Sequence, residues 1–262
     1  LVNFAALLIY TRLLSPDEYG RFALVVAGVS MAGLLVFQWQ RLVLTRWLMA
    51  REDEPERFLG EMLRVFVLLA LAAGAVGAAV TLFVPDSGWQ RLLALGVLVL
   101  LAQGWFELNL ALASAQFAPA RYGRILGVKS LVAAVCGAGL AWFGLGADAP
   151  LLGLLLGCLL SVRLFGAGAW HGVKPVRPKK DVLGEQLRYG LPLVITFALG
   201  WMIAGSDRLL LGWLIGAEAA GQYAVGSDLI QTSLGVLSVV HVAAYPLALK
   251  ALEQHGSAVA AS

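Results

Sequence analysis

Charge is sparse in this sequence. Asp, Glu, Lys and Arg make up 13% of its 262 residues, against about 25% in a soluble domain. Cysteine is scarce too: Cys136 and Cys158 both lie in apolar runs, where a thiol packs as a small hydrophobe. His171, His241 and His255 are scattered, so no metal-ligand spacing arises. There is no Gly-x-x-x-x-Gly-Lys-[Ser/Thr] segment, which argues against direct ATP hydrolysis. No exposed nucleophile stands with a positioned base, and nothing calls for a cofactor.

Apolar residues take the place of the missing charge. The chain is 60% hydrophobic with a mean hydropathy of +0.82. Runs of membrane-spanning length, about 20 apolar residues, recur along all of it. They fall near Leu1–Leu14, Phe22–Trp39, Val65–Val84, Leu92–Ala113, Val128–Leu145, Leu151–Trp170, Leu191–Ile215 and Tyr223–Leu249. The runs are long and unalternated, which is a helix pattern and not that of barrel strands. Small residues such as Ala72-Ala73-Gly74-Ala75 let membrane helices approach closely. The expected fold is an all-α integral membrane protein. The first run is short, so residue 1 is expected to fall inside the first helix. A signal peptide would need a basic start and a small-residue cleavage site, and neither is present.

Lys and Arg orient the spans. With the start of the first helix cytoplasmic, thirteen of the nineteen basic residues fall in cytoplasmic connections and only Arg12, Arg21 and Arg91 in periplasmic ones. This asymmetry is the positive-inside pattern. The pI near 9.0 therefore reflects topology. Nucleic-acid binding would need a basic patch on a folded soluble surface, and none is present.

One segment occurs twice. Leu13-Leu14-Ser15-Pro16-Asp17-Glu18-Tyr19-Gly20-Arg21-Phe22 and Leu214-Ile215-Gly216-Ala217-Glu218-Ala219-Ala220-Gly221-Gln222-Tyr223 align at a constant offset of 201 positions. Each reads as a helix end, a short polar turn, then a new helix starting at the aromatic. Repeats of this kind in membrane proteins build two lobes around a central pathway. The expected organisation is a two-lobe transporter of six-helix repeat units. Residues 1–170 form the first lobe, 171–188 a basic cytoplasmic linker, 189–250 the start of the second lobe, and 251–262 a polar tail. About four further helices are expected if the second lobe matches the first.

These residues resemble a family. Thr11-Arg12-Leu13-Leu14-Ser15-Pro16-Asp17-Glu18-Tyr19-Gly20-Arg21-Phe22 is similar to the opening of bacterial polysaccharide flippases of the Wzx type. Tyr189-Gly190-Leu191-Pro192, Ser206-Asp207-Arg208-Leu209 and Gly221-Gln222-Tyr223 resemble the start of their second lobe. The resemblance implies membership of the MOP superfamily, with 12 to 14 helices. It also implies export of undecaprenyl-diphosphate-linked oligosaccharide across the inner membrane by alternating access, as in O-antigen and lipopolysaccharide synthesis. The expected partners are that lipid-linked glycan, membrane lipid and the polysaccharide polymerase machinery.

Charges inside spans are costly, so each invites a functional reading. Reflection about the loop centres carries Arg41 to Leu69, Glu107, Ala133 and Arg163 in turn, which puts Arg41, Glu107 and Arg163 in one layer. Read as a site, it is a cationic vestibule. Arg41 and Arg163 would fork onto a diphosphate, Glu107 would hold them or carry a coupling proton, and Gln103 and Asn109 would reach sugar hydroxyls. Read structurally, it is an internal salt-bridge set. In the second lobe, Arg208 and Asp228 reflect onto each other as an ion pair. Asp207 points about 100° away and needs another partner; it is a candidate coupling site.

Three rivals stay open. A teichoic-acid exporter or small-molecule antiporter of the same superfamily would share the fold; a cationic-drug antiporter would show excess acid in its cavity. A membrane-embedded polymerase or ligase would need a large periplasmic loop, and the periplasmic connections are short. A non-transporting scaffold would have all its span charges paired.

Overall fold

The computed structural model describes residues 2–51, 54–178 and 180–235. The described residues form helices joined by short connections: α1 (Val2–Leu13), α2 (Pro16–Trp47), α3 (Pro55–Leu82), α4 (Ser87–Ala115), α5 (Pro119–Trp142), α6 (Asp148–Phe165), α7 (Lys180–Leu214) and α8 (217–235). Short 3-10 turns follow α2 and α6. No strand occurs among the described residues. Six of the helices are long and apolar enough to cross a membrane, so the chain is an all-α integral membrane protein. His241, Pro246, His255, the last part of the Tyr223–Leu249 run and the tail from 251 lie outside the described residues, as does Lys179.

Helix starts are set by local chemistry. Ser15 caps α2: its hydroxyl accepts from Glu18 N, and its own N–H donates to Glu18 Oε2 at 2.8 Å. This capping box, with Pro16 in the first turn, satisfies helix-start donors that have no intrahelical partner. The helix therefore begins at Pro16, six residues before the expected start at Phe22. Asp86 caps α4 through Trp89 N at 2.7 Å. The stretch read as a linker, 171–188, is helical from Lys180. Its early turns are amphipathic. Leu183 and Leu187 pack on the main apolar core and Gln186 is buried, so the polar part of the connection is 171–178.

Small residues set the packing of α2 on α4. The two run parallel, with Gly96 against Val25 and Gly104 against Phe37. A Cβ at Gly104 would lie 2.8 Å from the Phe37 ring. The α5–α6 hairpin closes the same way, with Gly153 against Gly137. Phe37, Phe66, Trp105 and Trp170 then form a chain of rings, successive centroids 5.0–5.2 Å apart. Leu71, Leu82, Phe83, Trp142 and Trp213 remain exposed, as side chains facing lipid would.

The two copies of the repeat pack on each other. A Cβ at Gly20 would strike the carbonyl of Ala217; one at Gly221 would strike the carbonyl of Pro16. Residues 16 and 217, like 20 and 221, are 201 positions apart. Residue i meeting the mate of j while j meets the mate of i is the geometry of a two-fold axis. Ala23 and Ala224, again mates, lie buried in one cluster beside them. Small residues let the backbones touch.

Candidate functional site

Among the described residues, three groups of polar side chains bear on the candidate site. The first lies where α2 passes α4. The parallel register that puts Phe37 on Gly104 brings Arg41 to Glu107 one turn later. Arg41 Nη2 sits 3.0 Å from Glu107 Oε2, and Nη1 donates to Gln38 Oε1 at 2.8 Å. The pair stands between two cavities of about 190 Å³ each. Both are lined by Gln38, Arg41 and Glu107; Gln103 lines the one toward the α2 start, and Thr45 and Tyr122 the other. The Arg41 Nε–H is buried without a partner among the described residues. Arg41 lies six residues from the end of α2, about 9 Å along the axis.

Arg163 does not join this pair. Its height matches: Gly166 abuts Asn109, and Val162 shares a buried cluster with Phe106, so Arg163 lies level with Glu107. The direction differs. Cys158, Ser161 and Val162 are the buried side of α6, while Arg163 is exposed on a stripe with Leu156, Leu159, Leu160 and Leu164. It makes no hydrogen bond or ion pair among the described residues. Adjacent residues on a helix diverge by about 100°, and height alone does not register that. The step through Ala133 also shifts, since Ala133 faces Gly157.

Asn109 points elsewhere as well. Its amide accepts from Trp170 Nε1 at 2.8 Å and donates to the Trp105 carbonyl at 2.8 Å. It clasps the 3-10 turn Ala167–Trp170 onto α4, and it lines neither of the Arg41 cavities.

The second group joins the repeats. Arg208 on α7 forms an ion pair with Asp228 on α8, as reflection about residue 218 expects. The partner that Asp207 needs is Tyr223, whose hydroxyl donates to Oδ2 at 2.6 Å. One member is new. Tyr19 OH donates to Asp228 Oδ2 at 2.7 Å, tying the first copy of the repeat to the carboxylate beside the second. The sequence signal was present, since Tyr19 adjoins Gly20 in the repeated segment, but only the Gly20–Gly221 contact brings it within reach.

The third group lines a cavity of about 600 Å³ between α1, α2, α5, α6 and α8. Tyr10, Tyr19 and Phe22 line one side, Asp228, Gln231 and Thr232 another. Tyr19 and Phe22 belong to the first copy of the repeat; the α8 residues lie just beyond the second.

At the end of α2 nearer Arg41, Arg46 stacks over Tyr189 at 4.3 Å and Trp47 at 5.0 Å. This cation–π cluster pins α7 against α2.

No curated protein and no solved structure matches the chain. A family model described as polysaccharide biosynthesis protein matches residues 9–251. The match runs from α1 past α8 and takes in both copies of the repeat and all three polar groups. The chain belongs to the polysaccharide biosynthesis protein family.

Proposed function

We propose that the protein is a flippase of the bacterial inner membrane, moving undecaprenyl-diphosphate-linked oligosaccharide units outward by alternating access. The observation that carries this reading is the reciprocal packing of the two repeat copies, with a cavity of about 600 Å³ beside that seam, lined by the first copy and by α8. Two lobes meeting on a seam of small residues can rock about it, which is how repeat transporters alternate access. Family membership supplies the pathway, polysaccharide synthesis.

Arg41 is the proposed contact for the diphosphate near the cytoplasmic side. Its guanidinium is held by Glu107 and Gln38, and its side chain lines both adjoining cavities. A preorganised fork of this kind suits phosphate oxygens. Gln103 lines the adjoining cavity and is placed to meet polar substrate groups. The Arg208–Asp228–Tyr19 network would close the periplasmic side while the cytoplasmic side is open. The described connections on that side span residues 14–15, 83–86, 143–147 and 215–216. Such short turns leave no room for a catalytic domain and favour transport over polymerisation.

The test is export in cells carrying the full-length protein. A labelled lipid-linked oligosaccharide is followed from the inner to the outer leaflet, with protein abundance checked by blot. Export that depends on the protein and fails in Arg41→Ala at normal abundance supports the reading. Wild-type protein that moves no lipid-linked glycan overturns it.

A further inference from the structure

We infer that the cavity between α1, α2, α5, α6 and α8 is a saccharide subsite, one that takes uncharged sugar rings and is separate from the Arg41 pair. The inference rests on the flippase reading and deepens it. Three rings line one wall: Phe22 lies 5.8 Å from Tyr19, edge-on, and 6.3 Å from Tyr10. Gln231 and Thr232 of α8 line the cavity too, and can donate and accept hydrogen bonds with hydroxyls. Aromatic rings together with amide and hydroxyl groups suit a ring that is apolar on its C–H face and polar at its rim.

Charge excludes the other half of the substrate. No lysine or arginine lines this cavity among the described residues. Its one carboxylate, Asp228, is already paired with Arg208 and accepts from Tyr19. A diphosphate would find no cation among the described lining residues, and a cationic ligand would meet a neutralised acid. A lipid tail would leave Gln231 and Thr232 unsatisfied. The volume of about 600 Å³ lies within the range of roughly 300–1,000 Å³ typical of small-ligand sites. Phe22 and Arg41 are 19 residues apart on α2, about 28 Å along the axis. Diphosphate and outer sugars would thus be held at different depths, with the glycan reaching ahead into the space that opens outward.

The test is photo-crosslinking in cells that make the natural lipid-linked glycan, labelled with a radioactive sugar. Benzoylphenylalanine replaces Phe22 in one strain, Thr232 in a second, Gln38 in a third and Leu159 on the exposed leucine stripe in a fourth. Sugar label on protein is expected at positions 22 and 232, at least about tenfold above 159. It is expected to vanish when the first glycosyltransferase is deleted. Phe22→Leu is expected to cut export about tenfold, the scale of one lost aromatic contact, with Phe22→Trp restoring most of it. Adducts at 22 and 232 that carry lipid but no sugar, or labelling no stronger than at 159, overturn the subsite. Labelling at 38 with none at 22 or 232 overturns the subsite while export stands. Absence of export and of label at every position removes the flippase reading itself.

Discussion

Gly20 and Gly221 meet across the seam between the two repeat copies: a Cβ at Gly20 would lie 3.0 Å from Gly221 N, and one at Gly221 3.0 Å from Gly20 Cα. The same two side chains would drive into the carbonyls of Ala217 and Pro16. Nothing but glycine fits either position without moving α8 against α2.

Gly20→Ala and Gly221→Ala should therefore each destabilise the protein, by roughly 1–3 kcal/mol as overpacked sites do. Gly28, on the same helix with nothing within 4 Å of its Cβ position, is the control. Thermal unfolding in detergent should show lower midpoints for the first two substitutions and none for Gly28→Ala. Equal midpoints for all three would mean the seam is looser than described.

Arg41 and Glu107 should behave as a coupled pair. Glu107→Gln leaves the arginine held by Gln38 alone, and Arg41→Gln leaves a carboxylate in the span without its cation. The double substitution should be milder than the sum of the singles. Contacting pairs couple by about 0.5–3 kcal/mol, and the ends of that range are read from a double-mutant cycle on unfolding midpoints. Additive effects would mean that the ion pair does not form in the membrane.

Arg163 should be dispensable for substrate handling. It stands on the exposed leucine stripe of α6 and makes no hydrogen bond or ion pair among the described residues. Exposed substitutions of this kind shift stability by only about 0.5 kcal/mol. Export by Arg163→Ala should stay within about twofold of wild type, by that same measure. A large loss at normal abundance would bring Arg163 back into the pathway, facing the other lobe.

Asn109 should matter for folding and not for transport. Replacing it with Leu removes the acceptor for Trp170 Nε1 and leaves a part-buried indole N–H without that partner, a loss of about 1 kcal/mol. Less folded protein is expected in the membrane, with unchanged export per folded molecule. Reduced export per molecule would place Asn109 at the substrate.

Part of this was legible in the sequence, and the rest was not, for separate physical reasons. The spans followed from apolar run length. The Arg208–Asp228 pair followed from reflection about one short turn. Reflection yields height but not azimuth, so Arg163 was placed level with Glu107 without being seen to point away. Asn109 reads in the sequence only as a polar residue in a span; its partner Trp170 is 61 residues away. The start of α2 was set too late because Ser15-Pro16-Asp17-Glu18 reads as a polar turn, whereas the capping box makes it the first turn of the helix. The bond from Tyr19 to Asp228 spans 209 residues. It appears only once the glycines of the two copies are in contact, and no local pattern announces it.

The most direct measurement is translocation of a fluorescent undecaprenyl-diphosphate oligosaccharide in liposomes holding the purified full-length protein, read by quenching from outside. Wild-type vesicles should flip the lipid well above protein-free vesicles, and Arg41→Ala vesicles should fall toward the protein-free rate. Wild-type vesicles that flip no faster than empty ones would contradict the assignment of this chain as a lipid-linked oligosaccharide flippase.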